Sequence, residues 1–144
     1  MLRRGPYVVA AGLDESVADP VPCTVHGKLV PLFDENLPMV DSYEIKAGTR
    51  QLLLDLSMLP KDQVGVVAAA CQVRDEVVTP ASIKFHTDGL EGSNAVVRVA
   101  MPAAPKSVSV GGTPLEAGAF DYADGTLRVR FINRATGVDV EIMR

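Results

Sequence analysis

The sequence predicts an all-β fold, an antiparallel β-sandwich, and three observations carry that reading. Short runs alternate in polarity: Leu127, Val129 and Phe131 against Arg128, Arg130 and Ile132, then Val138, Val140 and Ile142 against Asp139, Glu141 and Met143. A period of two places each set on one face of a pleated strand. Such runs recur at close spacing along the whole chain, separated by Gly, Pro and Asp, the spacing of sandwich strands. Finally, 47% of residues are apolar but only 5% are aromatic, with no Trp. The core is therefore built from Val, Leu and Ala, and stacking platforms for bases or sugars are scarce.

Taken in order, Pro6–Leu13 is a first strand whose near-continuous apolarity implies burial on both faces or a covered outer face. Asp14–Cys23 is a loop, since Pro20 and Pro22 cannot donate to a ladder. Val25–Phe33 is a second strand, with Pro31 marking an edge or a bulge, and Asp34–Pro38 is a turn. Val40–Lys46 alternates Val40, Ser42 and Glu44 with Asp41, Tyr43 and Ile45. Ala47-Gly48-Thr49 then turns the chain into Gln51–Leu56.

Pro60–Glu76 is ambiguous. Pro60 followed by Lys61-Asp62-Gln63 and Ala68-Ala69-Ala70 suits a helix start. Gly65, Val64, Val66, Val67 and Val73 favour a pleated surface, so a strand over Gly65–Val73 is preferred. Ala81–Thr87 sets Ile83, Phe85 and Thr87 against Ser82, Lys84 and His86. Asp88–Ser93 is a loop. Asn94–Met101 and Lys106–Val110 are strands joined by Pro102–Pro105, and Gly111-Gly112 is a hairpin turn. The last two runs, joined by a turn at Arg134–Gly137, read as a closing hairpin with Arg128 and Arg130 opposite Asp139 and Glu141.

At 144 residues the chain fits one domain, 1–144, able to bury about two-thirds of its unfolded surface. Its net charge is −4, without a basic run to track phosphates, so nucleic acid is not an expected partner. Arg3-Arg4 is too short to recruit an anionic membrane, and no apolar run reaches the ~20 residues of a span. Arg3, Arg4 and Tyr7–Leu13 imitate a signal peptide, but Gly5-Pro6 and Asp14-Glu15 interrupt it. A soluble chain is expected, its compartment open. Cys23 and Cys71 have no metal-ligand spacing; whether they pair is open, and Cys71 reads as a small buried hydrophobe.

The order Val108–Leu115, Phe120-Asp-Tyr122, Leu127–Asn133 and Gly137–Ile142 resembles the final strands of accessory β-sandwiches, immunoglobulin-like or jelly-roll-like. These domains close many multidomain glycoside hydrolases and other carbohydrate-active proteins. The stretch Arg4–Ser16 likewise resembles a mid-polypeptide start. The resemblance covers mostly the last third of the chain. It implies a non-catalytic domain packed against, or following, a catalytic module, and it carries over no catalytic residue and no cofactor. The expected partners are other domains of a larger polypeptide or a second copy of the chain, with carbohydrate as the alternative.

Candidate chemistry is sparse. Cys23 and His26 are three apart and so point to opposite faces of a strand, which argues against a nucleophile and base. His86 and Asp88 are two apart and share a face, suiting a metal pair or an oriented imidazole, or else a solvated strand end. Asp34-Glu35-Asn36 and Asp121–Asp124 are oxygen-rich, but turn chemistry accounts for them without calcium. Asp14-Glu15, Asp55 and Asp75-Glu76 have no reason to converge as a glycosidase pair. Among the rings Tyr7, Phe33, Tyr43, Phe85, Phe120 and Tyr122, the three tyrosines are the candidates for an exposed sugar-stacking platform. The speculative ligand residues are thus Tyr7, Tyr43, Tyr122 and His86, with no catalytic or metal-ligating residue expected.

Overall fold

Strands account for 57% of the chain and helix for 2%, in three antiparallel sheets, so the all-β reading holds. The computed structural model describes residues 1–13 and 21–144. The Asp14–Pro20 part of the expected loop, with Asp14-Glu15, lies outside the described residues. No helix among the described residues is long and apolar enough to cross a membrane. The expected single sandwich over 1–144 meets a chain that gathers into two compact units, Met1–Pro60 and Lys61–Arg144.

The first unit is one five-stranded sheet. It contains β1 (Leu2–Arg4), β2 (Tyr7–Ala11), β3 (Cys23–Pro31), β4 (Val40–Ile45) and β5 (Arg50–Asp55), in the order β1-β2-β5-β3-β4. The sequence reading missed β1, three residues folded back on β2 through a turn at Gly5, whose φ is +55°. Val8 and Ala10 of β2, Val25 and Leu29 of β3, Ile45 of β4 and Leu53 of β5 form its core, with Val40 and Tyr43 packed against it. Strand β3 serves two partners. Cys23–His26 and Leu29 pair with β4, with a bulge in that ladder between His26 and Leu29, while Leu29–Pro31 pairs with β5. Gly27 occupies that bulge at φ +146°, where a Cβ would press within 3.1 Å of the Asp55 carboxylate.

Asp55 closes this unit. It caps the 3-10 turn Leu56–Met58, accepting from the Ser57 amide at 3.2 Å and the Ser57 hydroxyl at 2.5 Å, and it pairs with Arg3 at 3.0 Å. Burial alone would raise its pKa, but the hydrogen bonds from Ser57 and Arg3 outweigh that and hold the carboxyl below its usual range.

The second unit is the sandwich. One sheet, ordered β12-β13-β9-β6, contains β6 (Gly65–Ala69), β9 (Asn94–Ala100), β12 (Phe120–Ala123) and β13 (Thr126–Ile132). The other, ordered β11-β10-β14-β8-β7, contains β7 (Gln72–Val78), β8 (Ser82–Asp88), β10 (Ser107–Val110), β11 (Thr113–Pro114) and β14 (Val138–Met143). Val97, Val99, Leu127 and Val129 of the first sheet share a core with Ile83, Phe85, Val108, Val140 and Ile142 of the second. The expected strand over 65–73 forms as two strands, β6 and β7, one in each sheet.

The closing hairpin is a correction. Strand β13 pairs with β9 and β12, whereas β14 pairs with β8 and β10, so the turn at Arg134–Gly137 carries the chain from one sheet to the other. Alternation states which way a side chain faces, but not which strand lies beside it. Accordingly Arg128 and Arg130 do not meet Asp139 and Glu141. Both bind Asp121 Oδ2, at 3.0 and 2.6 Å. Burial works to raise the Asp121 pKa, and the bonds from Arg130 and Arg128 bring it below the usual range. Beside them Arg98, only 3% exposed, donates to Thr126 Oγ1 at 2.8 Å. Burial first, and then the neighbouring Arg128 charge, push its pKa down to about 10.

The turn expected at Gly111-Gly112 forms as a tight hairpin, β10–β11, and a second tight hairpin, β12–β13, turns at Asp124-Gly125. Positive φ at Asp124 (+51°) and Gly125 (+76°) is the geometry that two-residue hairpins require.

Candidate functional site

His86 lies in the middle of an outward-facing charged row on the five-stranded sheet. The ladder sets Arg74 and Asp139 on either side of it and pairs Lys84 with Glu141. Its Nδ1 stands 2.7 Å from Asp139 Oδ1 and its Nε2 stands 3.6 Å from Asp88 Oδ1, while Asp88 is itself paired with Arg74. Lys84 and Glu141 approach to 2.8 Å. Sequence alone brought His86 and Asp88 together; Asp139, the shorter contact, comes from a strand 53 residues on. The Nε2 edge is closed by the backbone of Gly137, since a Cβ built there would stand 2.1 Å from that nitrogen. Both ring nitrogens thus face carboxylates and one edge is packed. The arrangement does what a cross-strand ion pair does: it fixes the register of β7, β8 and β14. No group of three His, Cys, Asp or Glu side chains among the described residues is placed to hold a metal ion.

The three tyrosines are not brought together. Tyr7 is 43% exposed on the face of the first sheet opposite Val8. Tyr43 packs against the core on the other side of that sheet. Tyr122 belongs to the sandwich unit, packs on its core, and donates its hydroxyl to the Met101 carbonyl at 3.0 Å. Its ring is thereby tied to the sandwich core. Cys23 and Cys71 are free thiols. Cys71 packs against the sandwich core, and burial, aided by the Asp88 charge, raises its pKa.

A second candidate site lies in the first unit, lined by the β3–β4 turn together with Tyr43 of β4 and Gln51 of β5. It is an open groove of about 440 Å³ lined by Pro31, Phe33, Asp34, Glu35, Asn36, Tyr43 and Gln51. The turn is rigid. Asp34 N–H donates to Pro31 O at 3.2 Å, Leu37 N–H to Asp34 O at 3.0 Å, and Asn36 N–H to Asp34 Oδ1 at 2.9 Å. Leu37 sits at φ +43° yet is 1% exposed, so burial of its side chain offsets a backbone conformation that a branched residue otherwise avoids. This leaves Phe33, 68% exposed, held at the rim. Opposite, Gln51 Oε1 is buried and finds no hydrogen-bond donor among the described residues.

Sequence reading placed Phe33 at a strand end and Asp34-Glu35-Asn36 in a turn, but it singled out neither Phe33 nor Gln51. Pro31, with the ring of Phe33 two residues on and an acidic turn directly after it, was the one available signal. Comparison with protein-family models, curated proteins and solved structures gives no match for this chain, so the groove is read from its own chemistry.

Proposed function

We propose that this chain is a non-catalytic accessory module that works through its surfaces, beside a carbohydrate-active catalytic module of a larger polypeptide. The observation that supports it is the outward face of the first sheet. Leu2, opposite Val9, and Val9, opposite Leu52, run across three strands, and Tyr7 lies two residues along. Leu2, Tyr7 and Val9 are 66%, 43% and 51% exposed. Scattered exposed hydrophobes need no explanation, but a contiguous cross-strand strip next to a short edge strand marks a surface that another body covers. A neighbouring domain or a second copy of the chain fits it.

Isolated, the protein should therefore self-associate. Val9→Lys should abolish the association while changing stability by less than about 0.5 kcal/mol, as exposed substitutions do. Sedimentation equilibrium checks this, and a wild type that stays monomeric at high concentration counts against the reading.

A second reading, carbohydrate binding, is favoured by the groove. Of the three candidate tyrosines only Tyr43 lines it. Exposed aromatic area beside an unmet acceptor, here Gln51 Oε1, is how weak, reversible sugar sites are built.

A further inference from the structure

We infer that the groove between the β3–β4 turn and β5 binds a short neutral saccharide, with Phe33 as the stacking ring and Gln51 as the acceptor of a sugar hydroxyl. This rests on the carbohydrate-binding reading and assigns it a place and a charge class.

Three independent features converge there. Phe33 is large, apolar and mostly solvated, on a turn whose main chain is held by hydrogen bonds and by the buried Leu37. A turn already formed loses little backbone freedom on binding, which is where weak sites gain affinity. Gln51 Oε1 carries an unmet acceptor, a deficit that a ligand O–H removes. The rim carboxylates of Asp34 and Glu35 accept hydrogen bonds from further hydroxyls, and no Lys or Arg lines the groove.

The charge pattern sets the class. Two carboxylates on a groove without a cation repel uronates and sulfated sugars, and they offer acceptors to a polyol that is rich in donors. A free apolar ligand would satisfy Phe33 but leave Gln51 and the two acids desolvated without partners. A neutral saccharide satisfies both. The groove volume of about 440 Å³ falls within the roughly 300–1,000 Å³ of small-ligand sites.

The test is an amide-resolved NMR titration of the full chain with neutral hexaoses of glucose, xylose, mannose and galactose, and with a galacturonate hexamer. At least one neutral oligomer should shift the amides of residues 32–36, 43 and 51, and the galacturonate should not. Phe33→Ala should weaken binding about tenfold, the loss of one aromatic contact. Gln51→Leu should also weaken it while leaving thermal stability unchanged or higher, because it removes an unsatisfied buried acceptor. Tyr7→Ala should leave binding intact.

The site is overturned if no neutral oligomer shifts those amides at about 10 mM, near the weakest affinity worth the name, or if binding survives Phe33→Ala. It is also overturned if the galacturonate binds equally well. Saccharide-dependent shifts elsewhere on the chain would overturn this site and retain carbohydrate binding. Self-association through Val9 is read separately and is unaffected by either result.

Discussion

Gly137→Ala should destabilise the sandwich unit by about 3 kcal/mol, combining backbone strain with the loss of the hydrogen bond between His86 and Asp139. Gly137 ends the turn between the two sheets at φ +76°, with its N–H donating to Arg134 O at 2.9 Å. A methyl group there would stand 2.1 Å from His86 Nε2, 2.7 Å from His86 Cε1 and 2.9 Å from the Thr87 carbonyl. The imidazole can swing away only by giving up Asp139 at 2.7 Å. The Thr87 carbonyl belongs to a ladder strand whose own side chain is fully buried, and it cannot yield.

A second substitution separates these contributions. His86→Ala alone should cost no more than about 1 kcal/mol, because its partner Asp139 is 85% exposed and the pair is screened. In the Gly137→Ala background the same change should cost nothing or restore stability, since it removes the obstructing ring. Chemical denaturation of the four proteins gives the coupling directly. Additive losses would mean that the ring is not what the methyl group meets, and that His86 is held for some other reason.

That pairing illustrates what could be read from the chain and what could not. In β8, Ile83, Phe85 and Thr87 are all but fully buried while Lys84 and His86 face outward, as period two requires. The face of His86 was therefore legible, and its neighbour across the ladder was not, because 53 intervening residues decide which strand lies beside β8. The same limit misplaced β13 and β14. Both alternate cleanly, yet Arg134–Gly137 crosses between sheets where a hairpin also fits the pattern. In β9 the inward Val97 and Val99 were legible, but Val96, Arg98 and Ala100 on the other face are also buried, at 2%, 3% and 4% exposure. An arginine in a strand reads as a solvated face until its neighbours are known.

The apolar run Tyr7–Leu13 was equivocal for a related reason. It alternates in burial, with Val8 and Ala10 inside and Tyr7, Val9 and Ala11 outside, so apolar composition on the outer side hid an ordinary half-buried strand. The groove was the least legible feature. Phe33 is exposed because Leu37 adopts a positive φ and buries itself, and no local pattern announces that a branched residue will do so.

Asp55→Ala should cost the first unit about 2–3 kcal/mol at neutral pH, the sum of a lost cap and lost hydrogen bonds to a charged acceptor. The carboxylate is 4% exposed and serves at once the Ser57 amide, the Ser57 hydroxyl and Arg3. Arg3 is 42% exposed, so solvent screens the Coulombic share and most of the loss comes from the Ser57 bonds. These hold the end of β5 and, through the close approach at Gly27, the bulge in the β3–β4 ladder.

The pH dependence follows in sign. The folded pKa lies below the ordinary 3.8, so the contribution is fully present above the unfolded value and is lost as pH falls through the folded one. Wild type should therefore lose stability progressively below about pH 4, whereas Asp55→Ala should lack that part of the slope and converge with wild type in acid. Amide exchange in β2 and β5 reports on this unit alone, and parallel curves at every pH would show that Asp55 carries no such coupling. Because the Phe33 turn follows directly on β3, and Gln51 lies on β5 four residues before Asp55, loosening this carboxylate should also blur the groove. Saccharide affinity and Asp55 ionisation should then fall together in acid.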